Sequence, residues 1–522
     1  MTTDTTPYAI ELRDISKRFG AVQANKDICL QVPAGTVHGI IGENGAGKST
    51  LMSIIYGFYE ADTGYIEVDG KRIDIHNSQD AINAGIGMVH QHFMLVENFS
   101  VLENVILGAE GGALLKEGVE TARVELQRLA QEYSLDIDVD AIVEDLPVGL
   151  QQRVEILKAL YRGARILILD EPTGVLTPQE ADHLFRILDA LKEQGVTVLL
   201  ITHKLREILA STDNVSVMRQ GQMVAHRETA KTSKEELAEL MVGKKVRLTV
   251  DKDEATPSDV FLSAKNISQY DKQGVKRLKN INLELRAGEI VGIAGVSGNG
   301  QSELLNVLSG IEPMTEGELH VAGQVITAKA PKDAAQMRGL KMAHVPEDRH
   351  KMGLVTGFEA YEAAVLGYHN SSDYNGKVLM NRKVMIDECN QRMADWDVRP
   401  PNPHLKTANF SGGNQQKIVI AREVEQNPDI LLIGQPTRGV DIGAIENIHE
   451  QIVKLRDSGK AILLVSVELD EIMALSDRII VMFDGAVVGE LDAKDADERT
   501  LGLMMANAFN KEEQENQKGE SA

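Results

Sequence analysis

The sequence predicts an α/β protein built from two tandem copies of one domain, each with a mostly parallel core sheet covered on both faces. Three observations carry that prediction. First, blocks of the first half return in order in the second, at nearly constant spacing. IIGENGAGKSTLMSIIYG (40–57) returns as IAGVSGNGQSELLNVLSG (293–310), LPVGLQQRVEILKAL (146–160) as FSGGNQQKIVIAREV (410–424), and ILILDEPTGV (166–175) as ILLIGQPTRGV (430–440). Such long-period repetition marks duplicated domains rather than a short-period solenoid. Second, short Val/Ile/Leu runs, ILILD and TVLLIT in one half and ILLIG and AILLVS in the other, alternate with helical patterns. Third, each half places a Gly-rich turn between an apolar strand and a helix.

Length and composition agree with this reading. The chain has 522 residues, enough for two to four domains, and its 43% hydrophobic and 25% charged shares are those of a soluble globular protein. A net charge of −23 lowers the expectation of nucleic-acid binding, which needs a basic face to displace phosphate counterions. The two cysteines, Cys29 and Cys389, lie far apart, so neither a disulfide framework nor a zinc site is expected. The start, MTTDTTPYAIELRD, has no basic n-region and no apolar core, and no apolar stretch approaches the ~20 residues of a membrane span. Any membrane role therefore requires a partner chain.

In order along the chain, each half opens with β-rich sequence, AIELRDISKRFG or VFLSAKNISQY. A buried strand, the Gly-rich turn and a helix follow. A helical middle, roughly 95–165 and 355–425, leads to an apolar strand, a helix, a second apolar strand and a β-rich end. The domains are placed at 8–246 and 260–508, joined by a polar, Pro-containing linker at 247–259, with a charged and disordered tail at 509–522.

The first turn carries chemistry. Gly42, Glu43, Asn44, Gly45, Ala46, Gly47, Lys48 and Ser49 fit GxxxxGK[ST], and Thr50 follows. VHGII before it reads as a strand and LMSIIYGF after it as a helix, the context that makes this pattern a phosphate-binding loop. The glycines let backbone N–H groups curl around phosphate at a helix N-terminus. Lys48 supplies a point charge for the β and γ phosphates, and Ser49 a hydroxyl for Mg²⁺. Downstream, the strand ILILD ends in Asp170, suited to Mg²⁺, and Glu171, suited to deprotonating a water. The expected ligands are ATP and Mg²⁺.

The order of these motifs, with Gln91 after a strand, a Gly/Gln-rich helix start and a strand ending in His203, resembles the nucleotide-binding subunit of ABC transporters over residues ~8–508. The resemblance implies two tandem P-loop NTPase domains, each with a mostly parallel core sheet, an antiparallel β subdomain and a helical subdomain. It further implies that Gln91 contacts Mg²⁺ and the attacking water, that His203 holds the γ-phosphate, and that Phe19 stacks on adenine.

The repeat allows each functional position to be compared within one chain. Gly295, Gly300 and Ser302 keep the loop, but Gln301 stands for Lys48, Gly434 for Asp170, Gln435 for Glu171, Glu347 for Gln91 and Val467 for His203. The second half is expected to hydrolyse ATP poorly or not at all. In the resembling family, a loop SGGxQ of one domain closes over the ATP of the other. Here Ser411, Gly412, Gly413, Asn414 and Gln415 are intact, whereas the first half reads Pro147-Val148-Gly149-Leu150-Gln151, and proline offers neither hydroxyl nor N–H. By that resemblance, the intact loop and the intact signature segment would form one composite active site, and the two degraded ones an inactive site. After ILILDEPT, Thr177-Pro178 stands where the family usually has Asp, which Asp441 retains in the second half.

Tandem domains with VPEDR in the second half resemble the sugar and nucleoside importer subclass. MVHQHFMLVENFSVLENV (88–105), EPTGVLTPQE and GQPTRG resemble its nucleoside group. The implied role is ATP hydrolysis that drives import of a nucleoside, from the cytoplasmic face of the membrane. The implied partners are two membrane permease subunits and an extracytoplasmic solute-binding protein, with membrane contact only through the permeases. Phe93 to Glu103 would line the groove for a permease helix, with Gly357 to Leu366 as its counterpart. The alternatives are a monosaccharide importer and a soluble, non-transport twin ATPase.

Overall fold

The computed structural model describes residues 8–506 except 21, 91–92, 109–114, 175, 177, 246–249, 251, 297, 376–378 and 441. Gln91, Thr177, Asp441 and the tail 509–522 therefore lie outside the described residues. The chain divides into two compact units, Met1–Val246 and Arg247–Ala522.

The first unit contains two sheets. A six-stranded sheet runs in the order Gln222–Glu228, Asn214–Arg219, Val37–Gly42, Thr197–Thr202, Ile166–Asp170, Ile86–Val89. All its neighbours are parallel except the first pair. Every residue of Val37–Gly42 and of Thr197–Thr202 is buried, as strands covered on both faces require. A four-stranded antiparallel sheet runs Val22–Pro33, Tyr8–Phe19, Thr63–Val68, Lys71–Ile73.

The helix Lys48–Ile55 lies between these sheets. Its buried face, Leu51, Met52, Ile54 and Ile55, shares one apolar cluster with Ile10, Leu12, Ile28 and Leu30 of the antiparallel sheet and with Ile40, Ile168, Leu199 and Ile201 of the core sheet. Burial of each such side chain contributes roughly 1.5–3 kcal/mol. The helix that carries the phosphate loop is therefore clamped on two sides.

Chain order in the core sheet explains where the site lies. From Val37–Gly42 the chain crosses to the far edge strand Ile86–Val89. It returns through Ile166–Asp170 and Thr197–Thr202, then passes to the other side at Asn214–Arg219. This reversal is a topological switch point, where open α/β sheets bind ligands beyond the strands' carboxyl ends. Register brings those ends together: Asp170 pairs with Ile201, Ile41 with Thr202 and Gly42 with Met218.

The second unit repeats the design, with a sheet Met342–Val345, Ile430–Gly434, Ala461–Val465, Glu289–Ala294, Arg478–Phe483, Ala486–Asp492. Its antiparallel sheet runs Lys276–Arg286, Val260–Tyr270, Glu316–Val321, Gln324–Thr327. The helical middles consist of Val101–Ile106, Leu115–Glu132 and Val148–Tyr161 in one unit, and of Ala360–Ala363, Arg382–Asp395 and Gly412–Val424 in the other.

Two features refine the sequence reading. The antiparallel sheet draws strands from both sides of the phosphate loop, because Thr63–Ile73 returns to pair with Tyr8–Phe19. The β-rich end of each half is a hairpin that extends the core sheet rather than a separate layer. Its turns, Gln220-Gly221 and Asp484-Gly485, hold two successive residues at positive φ, the conformation that matches strand twist in a two-residue hairpin. Among the described residues, no helix is long and apolar enough to cross a membrane.

Candidate nucleotide site

The phosphate loop of the first unit begins where Val37–Gly42 ends. Gly45 (φ 81) and Gly47 (φ 98) take left-handed backbone conformations. A Cβ on Gly47 would lie 2.7 Å from the Asn25 side-chain nitrogen. Asn25 itself donates to the Gly47 carbonyl at 3.1 Å and is fully buried. Gly47 caps the helix Lys48–Ile55 without any side-chain hydrogen bond, so the helix's first N–H groups remain available to an anion.

Lys48 is buried, with its Nζ donating to the carbonyls of Gly42 (2.6 Å) and Glu43 (3.1 Å). Burial lowers its pKa, and the carboxylates of Glu171, Asp170 and Glu43 oppose that change. The ammonium thus sits among three carboxylates inside the loop, placed to meet a phosphate. Ser49 is exposed and Thr50 half-buried on the first turn of the helix.

Asp170 closes the strand Ile166–Asp170 and is half-buried. No hydrogen bond from the described residues reaches its carboxylate, and burial followed by the neighbouring Glu171 charge raises its pKa. An unsatisfied carboxylate facing a phosphate loop fits a cation ligand. Glu171 follows in a strained conformation at φ 47, fixed by its N–H donating to Ile201 at 2.8 Å. Its carboxylate meets His203 Nδ1 at 2.9 Å. That hydrogen bond, the largest cause, holds the Glu171 carboxyl below the usual range. Thr173 donates to the buried Glu207, and Gln152 to the Pro172 carbonyl at 2.8 Å, so the segment that follows Glu171 is tied down at two points.

Phe19, at the end of its strand, is exposed and packs edge-on against Tyr59 at 5.1 Å, with Lys17 above its ring. An exposed aromatic pair is a platform for a base. The tertiary placement of Asn25 and Tyr59 has no motif, and sequence reasoning did not single them out.

The second unit keeps the backbone of this site without its chemistry. Gly298 (φ 89) and Gly300 (φ 102) repeat the loop, and Gln435 (φ 49) donates its N–H to Val465 at 2.7 Å as Glu171 does to Ile201. The buried Gln301 amide donates to Val296 at 3.1 Å, and a Cβ on Gly295 would press on that amide. Ser302 donates to the Glu347 carboxylate, and Gln435 accepts the Val467 N–H at 3.3 Å.

The signature segment of this unit is well formed. Ser411 caps the helix Gly412–Val424, accepts the Asn414 side-chain amide at 2.8 Å and remains exposed. Gly412 has no room for a Cβ, which would fall 2.8 Å from the Arg349 guanidinium. Gly413 is buried. Gln415 is built into the fold: its amide donates to Thr407 (2.9 Å) and its oxygen meets His350 (2.7 Å). In the first unit Pro147 precedes the helix Val148–Tyr161 and provides no side-chain cap.

Also in the first unit, a cleft of about 230 Å³ is lined by residues including Tyr56, Phe58, His90, Met94 and Glu155. The Met94 N–H donates to Glu155 at 2.7 Å, leaving the apolar Met94 side chain 63% exposed at its rim.

Comparison with known proteins places this geometry in context. The ABC transporter family model matches residues 25–174 and 278–438, one match in each half. The nucleoside import ATP-binding protein NupA of Lactococcus lactis subsp. cremoris is 42% identical over 95% of this chain and 97% of its own length. The guanosine import ATP-binding protein NupO of Bacillus subtilis is 43% identical over 97% and 98%. The glucose import ATP-binding protein TsgD13 of Haloferax volcanii is 43% identical over 95% of each chain. Among solved structures, archaeal ribosome recycling factor aABCE1, in complex with ribosomal stalk protein aP1, shares the tandem fold. Its TM-score is 0.60 at 20% identity, covering 94% of this chain and 92% of that one. With its fold, both loops and both family matches in agreement, the chain belongs to the ABC transporter family, one family domain in each half.

Proposed function

We propose that this chain hydrolyses ATP at the loop of its first unit to energise import of a nucleoside. The observation that carries the reading is internal: Lys48, Asp170, Glu171 and His203 converge in the first unit, and their counterparts Gln301, Gly434, Gln435 and Val467 do not support the same chemistry. Glu171 takes a proton from the attacking water, His203 orients the carboxylate, and Lys48 stabilises charge on the transferring phosphoryl group. Asp170 and Ser49, with Gln91, would hold Mg²⁺, which when bound supplies charge neutralisation on the phosphate oxygens. Phe19 supports the adenine. Ser411, Gly412, Gly413 and Gln415 serve the same reaction, a role that rests on the sequence pattern.

The partners are two membrane permease subunits at the cytoplasmic face and an extracytoplasmic solute-binding protein. The cleft edged by Met94 and Phe58 supports docking of an apolar permease segment. A nucleoside is favoured because two full-length relatives carry that name and the 88–105 segment resembles the same group. The glucose importer relative, equally similar, supports a second reading in which the cargo is a hexose. Uptake of labelled guanosine, uridine and glucose in a deletion strain separates them. Loss of nucleoside uptake alone is expected, and loss of glucose uptake alone overturns the assignment.

A further inference from the structure

The second unit has lost one carboxylate at the phosphate loop and gained another. In the first unit the carboxylate at the loop stands at the end of a core strand, at Asp170, where the Lys48 charge acts on it. In the second unit that position is Gly434, and a Cβ there would fall 2.5 Å from Glu347 Cγ and 3.0 Å from the Glu347 backbone nitrogen. Glu347 thus occupies the space that a side chain at 434 would need. It reaches this place from the neighbouring edge strand, Met342–Val345, whose Val345 pairs with Ile433. Its carboxylate accepts the hydroxyl of Ser302, the counterpart of Ser49.

The loop around this pair is still a phosphate cradle. Gly298 and Gly300 hold the same left-handed backbone as Gly45 and Gly47, and Gly300 caps the eight-residue helix Gln301–Leu308 with no side-chain hydrogen bond. The loop residues Gly295 to Ser302 include no basic side chain. A nucleotide entering alone would meet one carboxylate and no lysine, which is repulsive. A nucleotide entering with a divalent cation would meet a hydroxyl and a carboxylate suited to that cation.

We propose that the second unit binds a nucleoside di- or triphosphate only together with a divalent cation, held between the Ser302 hydroxyl and the Glu347 carboxylate, which has taken over the metal-facing position vacated at Gly434. Gln435 and Val467 supply neither a base nor a γ-phosphate donor, so the nucleotide is retained rather than hydrolysed. With no basic side chain in the loop Gly295 to Ser302, the metal carries the counter-charge that Lys48 shares in the first unit.

The test is photolabelling of the full chain with 8-azido-ATP, in Mg²⁺ or in EDTA, with labelled peptides assigned to either unit by mass spectrometry. Label in residues 260–506 should fall at least about tenfold in EDTA, the loss of one charge-assisted contact. Label in residues 8–245 should fall less. Glu347→Gln should invert the second unit's response: weaker label than wild type in Mg²⁺, and stronger in EDTA because the repelling charge is gone. Ser302→Ala should weaken only the Mg²⁺-dependent label. Absence of second-unit label in Mg²⁺, equal label with and without metal, or an unchanged response in both variants each overturns the proposal. Retained first-unit label in every sample shows that the chain is folded, and keeps a failure here distinct from failure of the proposed transport function.

Discussion

Glu171→Gln isolates the proposed catalytic base with the least disturbance to the fold. Glutamine has the same length, and its oxygen can still accept from His203 Nδ1 at the 2.9 Å that the carboxylate makes. The φ of 47 and the N–H bond to Ile201 depend on the backbone, not on the carboxylate charge. What is lost is the ability to take a proton from water, worth about 10²- to 10⁴-fold in rate, or roughly 2.7–5.5 kcal/mol of barrier. Phosphate release by the assembled transporter should fall by that factor while ATP binding is retained. His203→Ala sharpens the test through pH. The His203 bond holds the Glu171 carboxyl below its ordinary range, so the base is already ionised at acidic pH. Without His203 its pKa rises, and the acid limb of turnover should move to higher pH. Turnover of Glu171→Gln within about threefold of wild type would refute the assignment.

Three further outcomes are expected. Lys48→Ala should lower turnover at least about 100-fold, the cost of one transition-state donor, whereas Gln301→Ala should cost less than about tenfold; steady-state ATPase assays compare them. Gly47→Ala should destabilise the first unit by about 1–3 kcal/mol in calorimetry, because alanine is strained at φ 98 and its Cβ would press on Asn25. His38, buried against Ser216 at 2.7 Å, has its pKa pushed down to about 4 by burial and by His226. The unfolded chain binds a proton there below about pH 6.5 and the folded chain does not. Stability should therefore rise with pH between those values, by up to roughly 3 kcal/mol, and denaturant titrations of His38→Gln should show a shallower rise.

The parts of this molecule that were legible in sequence are those whose physics is local. GENGAGKS announces a turn, a helix start and a phosphate cradle within eight residues, and the repeat exposes which half kept the lysine. ILILD announces a strand that delivers Asp170 and Glu171 to one edge. What was not legible depends on distant neighbours. Tyr59 reaches Phe19, and Asn25 reaches Gly47, only through the clamp of two sheets on one helix. Gln415 reads as part of a ligand-facing motif, yet its amide is occupied by Thr407 and His350, partners from separate segments. Glu347 reads as a lost glutamine, and only strand pairing reveals that it fills the place of the missing aspartate. The strained backbone shared by Glu171 and Gln435 likewise survives the loss of the side chain that gave it a purpose.

The central claim is that catalysis resides in the first unit alone. Vanadate captures the nucleotide product only at a site that has completed hydrolysis, so trapping of 8-azido-ADP by vanadate in the assembled transporter, followed by photolabelling and peptide mapping, measures it directly. The vanadate-dependent increase in label should lie wholly within residues 8–245. An equal vanadate-dependent increase in residues 260–506 would contradict the account.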